Sequence, residues 1–215
     1  MSKADFWYLI EETRTSCGED QKTYLRHLGE WLKALGPDYA QDFHDILHVY
    51  VELADKLGLW SAATLMGRSS EHDFENFRSW LISHGQDVYL AALKNPDTLA
   101  DIDPGDGNWF EDLTYAGATV LFDLTGKNAY KETDLRAYET LLEELKADIE
   151  YGEGIDYPFE ENEMPEFFPR LFPKYRDTVI KIVRAEGRIW NPTHWRVEMR
   201  RKDGPPSKPE QKTIE

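Results

Sequence analysis

Two imidazoles one helical turn apart, in His44-Asp45-Ile46-Leu47-His48, have the spacing of a shared metal site. Side chains four residues apart lie on one helix face, and neutral imidazoles there can ligate one ion. In zinc proteases the residue after the first histidine is a glutamate that activates metal-bound water. Asp45 holds that place here and is one methylene shorter, so its reach to such a water is poor. A third ligand would have to come from His27, Asp42 or Glu52. A weak metal site at His44 and His48 stands beside the plainer reading of a half-buried helix flank.

Other chemistry-bearing residues are sparser. Gly67-Arg68-Ser69-Ser70 precedes a helix, where free amides and the dipole favour an anion, but it lacks the length and lysine of a nucleotide loop. Arg78 and Trp80 could line a polar pocket for a carboxylate or phosphate together with Arg68, Ser69 and the 101–112 loop. Arg78 has an internal duty open to it as well, pairing with Glu75 or an acid from another helix. Asp101 to Asn108 is rich in aspartate and glycine but offers Gly105, Asp106 and Asp112 where an EF-hand needs an oxygen donor, Gly and Glu. A turn built on aspartate–amide bonds is the better account. Cys17, beside Gly18-Glu19-Asp20, has acids that would raise its pKa and no adjacent histidine, so it is a poor nucleophile. Proline fills the middle of Asn191-Pro192-Thr193 and removes a glycosylation site.

These residues sit on a pattern that predicts a mainly α fold, a compact multi-helix orthogonal bundle with a small β-hairpin near the C-terminus. Asp5 is the expected cap of a helix to Thr15, with Phe6, Leu9 and Ile10 on its apolar stripe. A second helix over 20–35 repeats Tyr24, Leu28, Trp31, Leu32 and Leu35, and Gly36 and Pro37 mark the junction to a third. That helix is expected to run to Leu57, with Phe43, Leu47, Tyr50 and Ala54 inward and Gly58 closing it. A short apolar helix over 59–66 follows. Ser70 caps the next, whose core line is Phe74, Phe77 and Leu81, and Gly85 ends it. Further helices are predicted over 86–94, 109–124 and 133–149. Residues 1–175 form the expected acidic helical domain, 176–202 a basic extension that is either a helix or a hairpin packed on it, the hairpin pairing Gly187–Trp190 with Trp195–Arg200, and 203–215 a disordered tail.

Several of these stretches resemble a family. Phe6-Trp7-x-Leu9-Ile10-Glu11, Trp60-x-Ala62-Ala63, Asp73-Phe74-x-x-Phe77-Arg78-x-Trp80-Leu81-Ile82-x-x-Gly85, Pro96-Asp97-x-Leu99-Ala100, Phe110-Glu111 and Thr125-Gly126 are similar to the bacterial family known only as domain of unknown function 4240. Phe168-Pro169-Arg170-Leu171 resembles its closing motif, so the resemblance covers residues 4 to 175. Before the central helix the chain has Ser70-Glu71-His72-Asp73 in place of the family's Ser-Asp-Asp. The resemblance implies a mainly helical domain and brings no activity.

Charge sets the functional expectations. Residues 1–169 hold 13 Lys and Arg against 35 Asp and Glu, a net −22, whereas residues 170–215 hold 12 against 6. Such a body repels a phosphate backbone, leaving only the basic tail to touch nucleic acid. No apolar run approaches the roughly 18 residues of a membrane span, and the N-terminus lacks a signal-peptide pattern. With a single cysteine, this predicts a cytoplasmic chain with no membrane contact and no cofactor. Ten acids fall between Glu143 and Glu166 against one base, Lys146. Glu153, Asp156, Glu160, Glu161 and Glu163 are therefore the expected contact surface for a basic protein partner of a non-catalytic regulator, inhibitor or immunity-type factor. The alternative is an enzyme or small-ligand binder using the polar pocket near Arg78 and Trp80.

Overall fold

Ser2 opens the first helix, three residues ahead of the Asp5 expected from the sequence. The Ser2 hydroxyl accepts from the Asp5 amide at 3.2 Å, and the Asp5 carboxylate accepts from the Ser2 amide at 3.0 Å. This reciprocal box satisfies two amides that a helix start otherwise leaves orphaned. In this computed structural model, which describes residues 1–18, 20–68, 70–104, 107, 109–159 and 163–176, every regular element among the described residues is helical. The expected hairpin between residues 187 and 200 and the tail from 203 lie outside them.

The chain forms a multi-helix bundle. Its order is α1 (Lys3–Cys17), α2 (Gln21–Leu35), α3 (Pro37–Leu53), α4 (Leu57–Leu65), α5 (Glu71–Ser83), α6 (Gln86–Lys94), a 3-10 helix (Pro96–Asp101), α7 (Glu111–Thr114), α8 (Ala116–Thr125), α9 (Ala129–Glu132), α10 (Leu135–Lys146) and α11 (Met164–Phe167). Residues 171–176 are helical as well.

Several helix bounds differ from the sequence pattern for identifiable reasons. α3 stops at Leu53 rather than Leu57, and Gly58 lies in the first turn of α4, where its amide donates to the Ile155 carbonyl at 2.7 Å. Gly58 thus marks a close approach of two segments and not a helix end. The helix expected over 109–124 breaks at Tyr115 into α7 and α8, and α10 ends at Lys146. On α2 the buried line is Tyr24, Leu28 and Leu32, at successive intervals of four. Trp31 and Leu35 border that line and remain 45% and 41% exposed.

α3 is the axis of the bundle. It packs most extensively on α8 and α10 and also meets α1, α2, α5, α7 and α9, so Phe43, Ile46, Leu47, Val49, Tyr50, Val51 and Leu53 are all buried. Around Tyr50 the aromatics interlock. Trp7 Nε1 donates to the Tyr50 hydroxyl at 2.9 Å, and the Tyr89 hydroxyl donates to the Tyr50 carbonyl at 2.7 Å. Phe6, Trp7 and Tyr89 place their ring centroids 5.4, 4.8 and 5.3 Å from that of Tyr50. Burial pushes the Tyr50 phenol up to about 12, so the group stays neutral in this core.

Glycine permits the tightest of these contacts. A Cβ at Gly117 of α8 would stand 2.7 Å from the Ala40 carbonyl oxygen and 2.9 Å from the His44 amide nitrogen. Both obstacles are backbone and cannot rotate away. Gly117→Ala is therefore expected to lower unfolding stability by about 2 kcal/mol through overpacking, read from urea denaturation. An unchanged midpoint would show that the two helices separate freely.

Candidate functional site

The residues expected to make an anion pocket are placed apart in role. Arg78 is largely covered by α5 and the end of α3. Its Nη1 donates to the Val51 carbonyl at 2.8 Å, Asp55 lies 3.9 Å away, and the guanidinium sits 4.9 Å from the Phe74 ring centre. It ties α5 to the last turn of α3, where a cation complements the helix dipole. Trp80 is 3% exposed, packed between Phe77 and His84. Arg68 reaches the 101–112 loop, 3.6 Å from where a Cβ on Gly107 would sit. Ser69, Asp106 and Asn108 lie outside the described residues. A cleft of about 480 Å³ runs between α2 and α8, but apart from Asp112 it is lined by none of the expected residues.

The loop from Asp101 is cross-tied to the end of the described chain. Asp101 pairs with Arg170, and Lys174 Nζ donates to the Ala100 and Ile102 carbonyls at 3.1 Å each. Beside it stands a residue whose role the sequence pattern left unread. Asp97 is 4% exposed, and its carboxylate accepts from the Arg170 amide at 3.1 Å and the Leu171 amide at 2.9 Å. It thereby caps helical residues 171–176 from across the fold, joining the Pro96-Asp97 and Phe168-Pro169-Arg170-Leu171 motifs. Two motifs distant in sequence with a short acid in one were the available signal. Asp97→Ala should cost about 2 kcal/mol, as loss of a charged cap. It should also speed proteolytic cleavage between residues 165 and 176 in a timed digest.

The acidic stretch is an anchored loop. The Gly152 amide donates to the Leu93 carbonyl at 3.0 Å, the Tyr151 hydroxyl to the Leu53 carbonyl at 3.0 Å, and the Phe159 amide to Ser61 Oγ at 3.3 Å. Ile155 and Phe159 are buried between them. A Cβ at Gly152 would stand 2.1 Å from the Lys94 carbonyl oxygen, so the backbones touch there. This mooring leaves Glu153 exposed and Tyr157 72% exposed. Asp156 lies 2.6 Å from Lys56, and Glu150 lies 2.7 Å from Lys94. Glu163 opens α11, its carbonyl accepting from the Phe167 amide at 3.1 Å. Glu160 and Glu161 lie outside the described residues.

His44 and His48 do come together. Their ring centres are 4.3 Å apart, and Tyr130 of α9 packs edge-on against both, at 4.6 and 5.4 Å. His44 is 2% exposed. Its Nδ1 and the His48 Nε2 are both buried without a hydrogen-bond partner. Of the ligands imagined from sequence, Asp42 pairs with the chain's amino terminus and Glu52 accepts from the Tyr138 hydroxyl at 3.0 Å. Asp45 accepts from Thr133 Oγ1 at 2.7 Å and Gln41 Nε2 at 3.0 Å. Among the described residues no third His, Cys, Asp or Glu completes a metal cluster.

Burial, aided by the neighbouring His48, pushes the His44 imidazole down to about 4. His48 is lowered by burial, against the pull of Glu75, Asp45 and the Thr114 carbonyl. Both are neutral at pH 7. A histidine depressed by folding contributes stability that is complete above its unfolded value near 6.5 and is lost as pH falls toward 4. From pH 7 to pH 5, His44 alone should cost the protein about 2 kcal/mol. His44→Gln should flatten the stability–pH curve by that amount, measured as unfolding midpoints at both pH values. Parallel curves would remove His44 from the acid response.

No curated protein and no solved structure gives a significant match to the chain. The profile of the family described as "Protein of unknown function (DUF4240)" matches residues 1–146, a span that holds α1 to α10, the imidazole pair and Asp97 but stops before the anchored acidic loop. The chain belongs to that family.

Proposed function

We propose that the chain is a non-catalytic interaction domain, a regulator, inhibitor or immunity-type factor, whose acidic surface binds a basic protein partner in the cytoplasm. The anchored loop carries this reading. Its backbone is tied to the ends of α3 and α6 and to α4, so Glu153 and Tyr157 are held outward and little ordering entropy is lost on binding. An exposed carboxylate and an exposed tyrosine on the same anchored loop suit lysine and arginine, through charge and through the ring face.

The rest of the surface supports the same polarity. Eight of the 13 Lys and Arg in residues 1–169 are paired with acids of the body: Lys3, Arg14, Arg26, Lys33, Lys56, Arg78, Lys94 and Lys127. Such pairs add little stability, but they cancel positive charge locally and leave a field of one sign to steer a basic protein. No helix among the described residues is long and apolar enough to cross a membrane.

The test is affinity chromatography of the native host's lysate over the full chain, followed by purification of any retained basic protein. Its affinity is then compared for Glu153→Gln/Tyr157→Ser and for a control, Glu12→Gln/Glu30→Gln. The loop variant should weaken binding about tenfold or more, and the wild-type complex should dissociate as salt rises. Equal weakening in both variants, or retention of no basic protein, would defeat the proposal.

A further inference from the structure

The imidazole pair has a feature that core packing does not explain. Buried polar atoms are nearly always hydrogen-bonded, yet two ring nitrogens on consecutive turns of α3, His44 Nδ1 and His48 Nε2, are buried and unpartnered beneath a tyrosine that is 53% exposed. We propose that His44 and His48 chelate a late first-row divalent ion such as Zn2+, with the remaining coordination positions open to water or to a small ligand entering past Tyr130.

Each part of the geometry serves that assignment. The pair lies one turn apart with rings in contact at 4.3 Å, so two lone pairs can be supplied without unwinding the helix. The His48 Nε2 is buried without a partner and its ring meets that of His44, so a lone pair on that nitrogen can face an ion held between the two rings. Neutral imidazoles suit Zn2+, Cu2+ and Ni2+ and are poor ligands for Ca2+ and Mg2+. Glu75 adds negative charge facing both His48 and Tyr130. Asp45 is held away by Thr133 and Gln41. With two protein ligands the site is open rather than structural, and micromolar affinity is expected. The assignment is independent of the acidic loop, which lies on other elements.

The experiment is a ZnCl2 titration of the full chain at pH 7.5 by calorimetry, with wild type, His44→Gln and His48→Gln, and MgCl2 as the hard-ion control. Wild type should bind one equivalent, each variant should bind about tenfold more weakly or worse, and Mg2+ should give no heat. Imidazole nitrogen spectra of the 15N-histidine-labelled wild type provide a second readout that does not depend on how well a variant folds. Of its six histidines, the resonances of His44 and His48 should shift with zinc. No binding, unchanged affinity in a folded variant, or shifts confined to His27, His72, His84 or His194 would overturn the site.

Discussion

The enclosure of α3 is the constraint on which the rest of the structure depends. Seven other helices cover α3, and its exposed residues, Pro37, Asp38, Tyr39 and Glu52, fall at its two ends, so the polar side chains between them must find most of their partners inside the protein. Tyr50 does so through its neighbours on α1 and α6. Its hydroxyl takes the Trp7 indole, its carbonyl takes the Tyr89 hydroxyl, and its ring fills the space among Phe6, Trp7 and Tyr89. α1, α3 and α6 are thereby fixed relative to one another by bonds that a slip of one turn would break. Asp45 is also satisfied, by Thr133 and Gln41. Against that standard, the unpartnered nitrogens of His44 and His48 stand out on the same helix.

A second consequence concerns how ends are held. α3 exposes carbonyls at its C-terminus, and two other segments reach that end: Arg78 of α5 donates to Val51, and the acidic loop brings Tyr151 onto Leu53 and Asp156 beside Lys56. The acidic loop is therefore moored to the most constrained point of the fold. A chain of this net charge would tend to splay such a loop by self-repulsion. Hydrogen bonds from Gly58, Gly152 and Phe159, with burial of Ile155 and Phe159, offset that tendency.

Most of the helical architecture was legible because its signals are local. Ser70 caps α5, Gly36 precedes Pro37, and Phe74, Phe77 and Leu81 repeat at helical spacing, all as the structure has them. What was not legible depended on contacts between distant segments. Nothing near Gly58 in sequence reveals Ile155, so a residue needed for close approach looked like a helix end. Nothing near Arg78 reveals Val51, so an internal duty was legible for it but the partner that fixes it was not. Trp31 and Leu35 fitted the α2 stripe but lie at its border, because periodicity gives a direction and not the width of the covered face. The spacing of His44 and His48 was visible, whereas their depth and the loss of their hydrogen bonds were not.

The aromatic-dense centre of the sequence is thus a folding signature. Trp60 stacks on Phe74, Phe77 meets Trp80, and Asp97 reaches Arg170 and Leu171 to close the chain over them. When local propensity, packing and polar satisfaction all agree, a segment is explained by the fold alone. Function belongs where that agreement fails. Two places do so: a buried and a half-buried imidazole, each with one buried nitrogen lacking a hydrogen bond, and an exposed tyrosine on a loop whose own backbone is anchored. The metal proposed for the first and the basic partner proposed for the second rest on separate observations, so the failure of one proposal leaves the other standing.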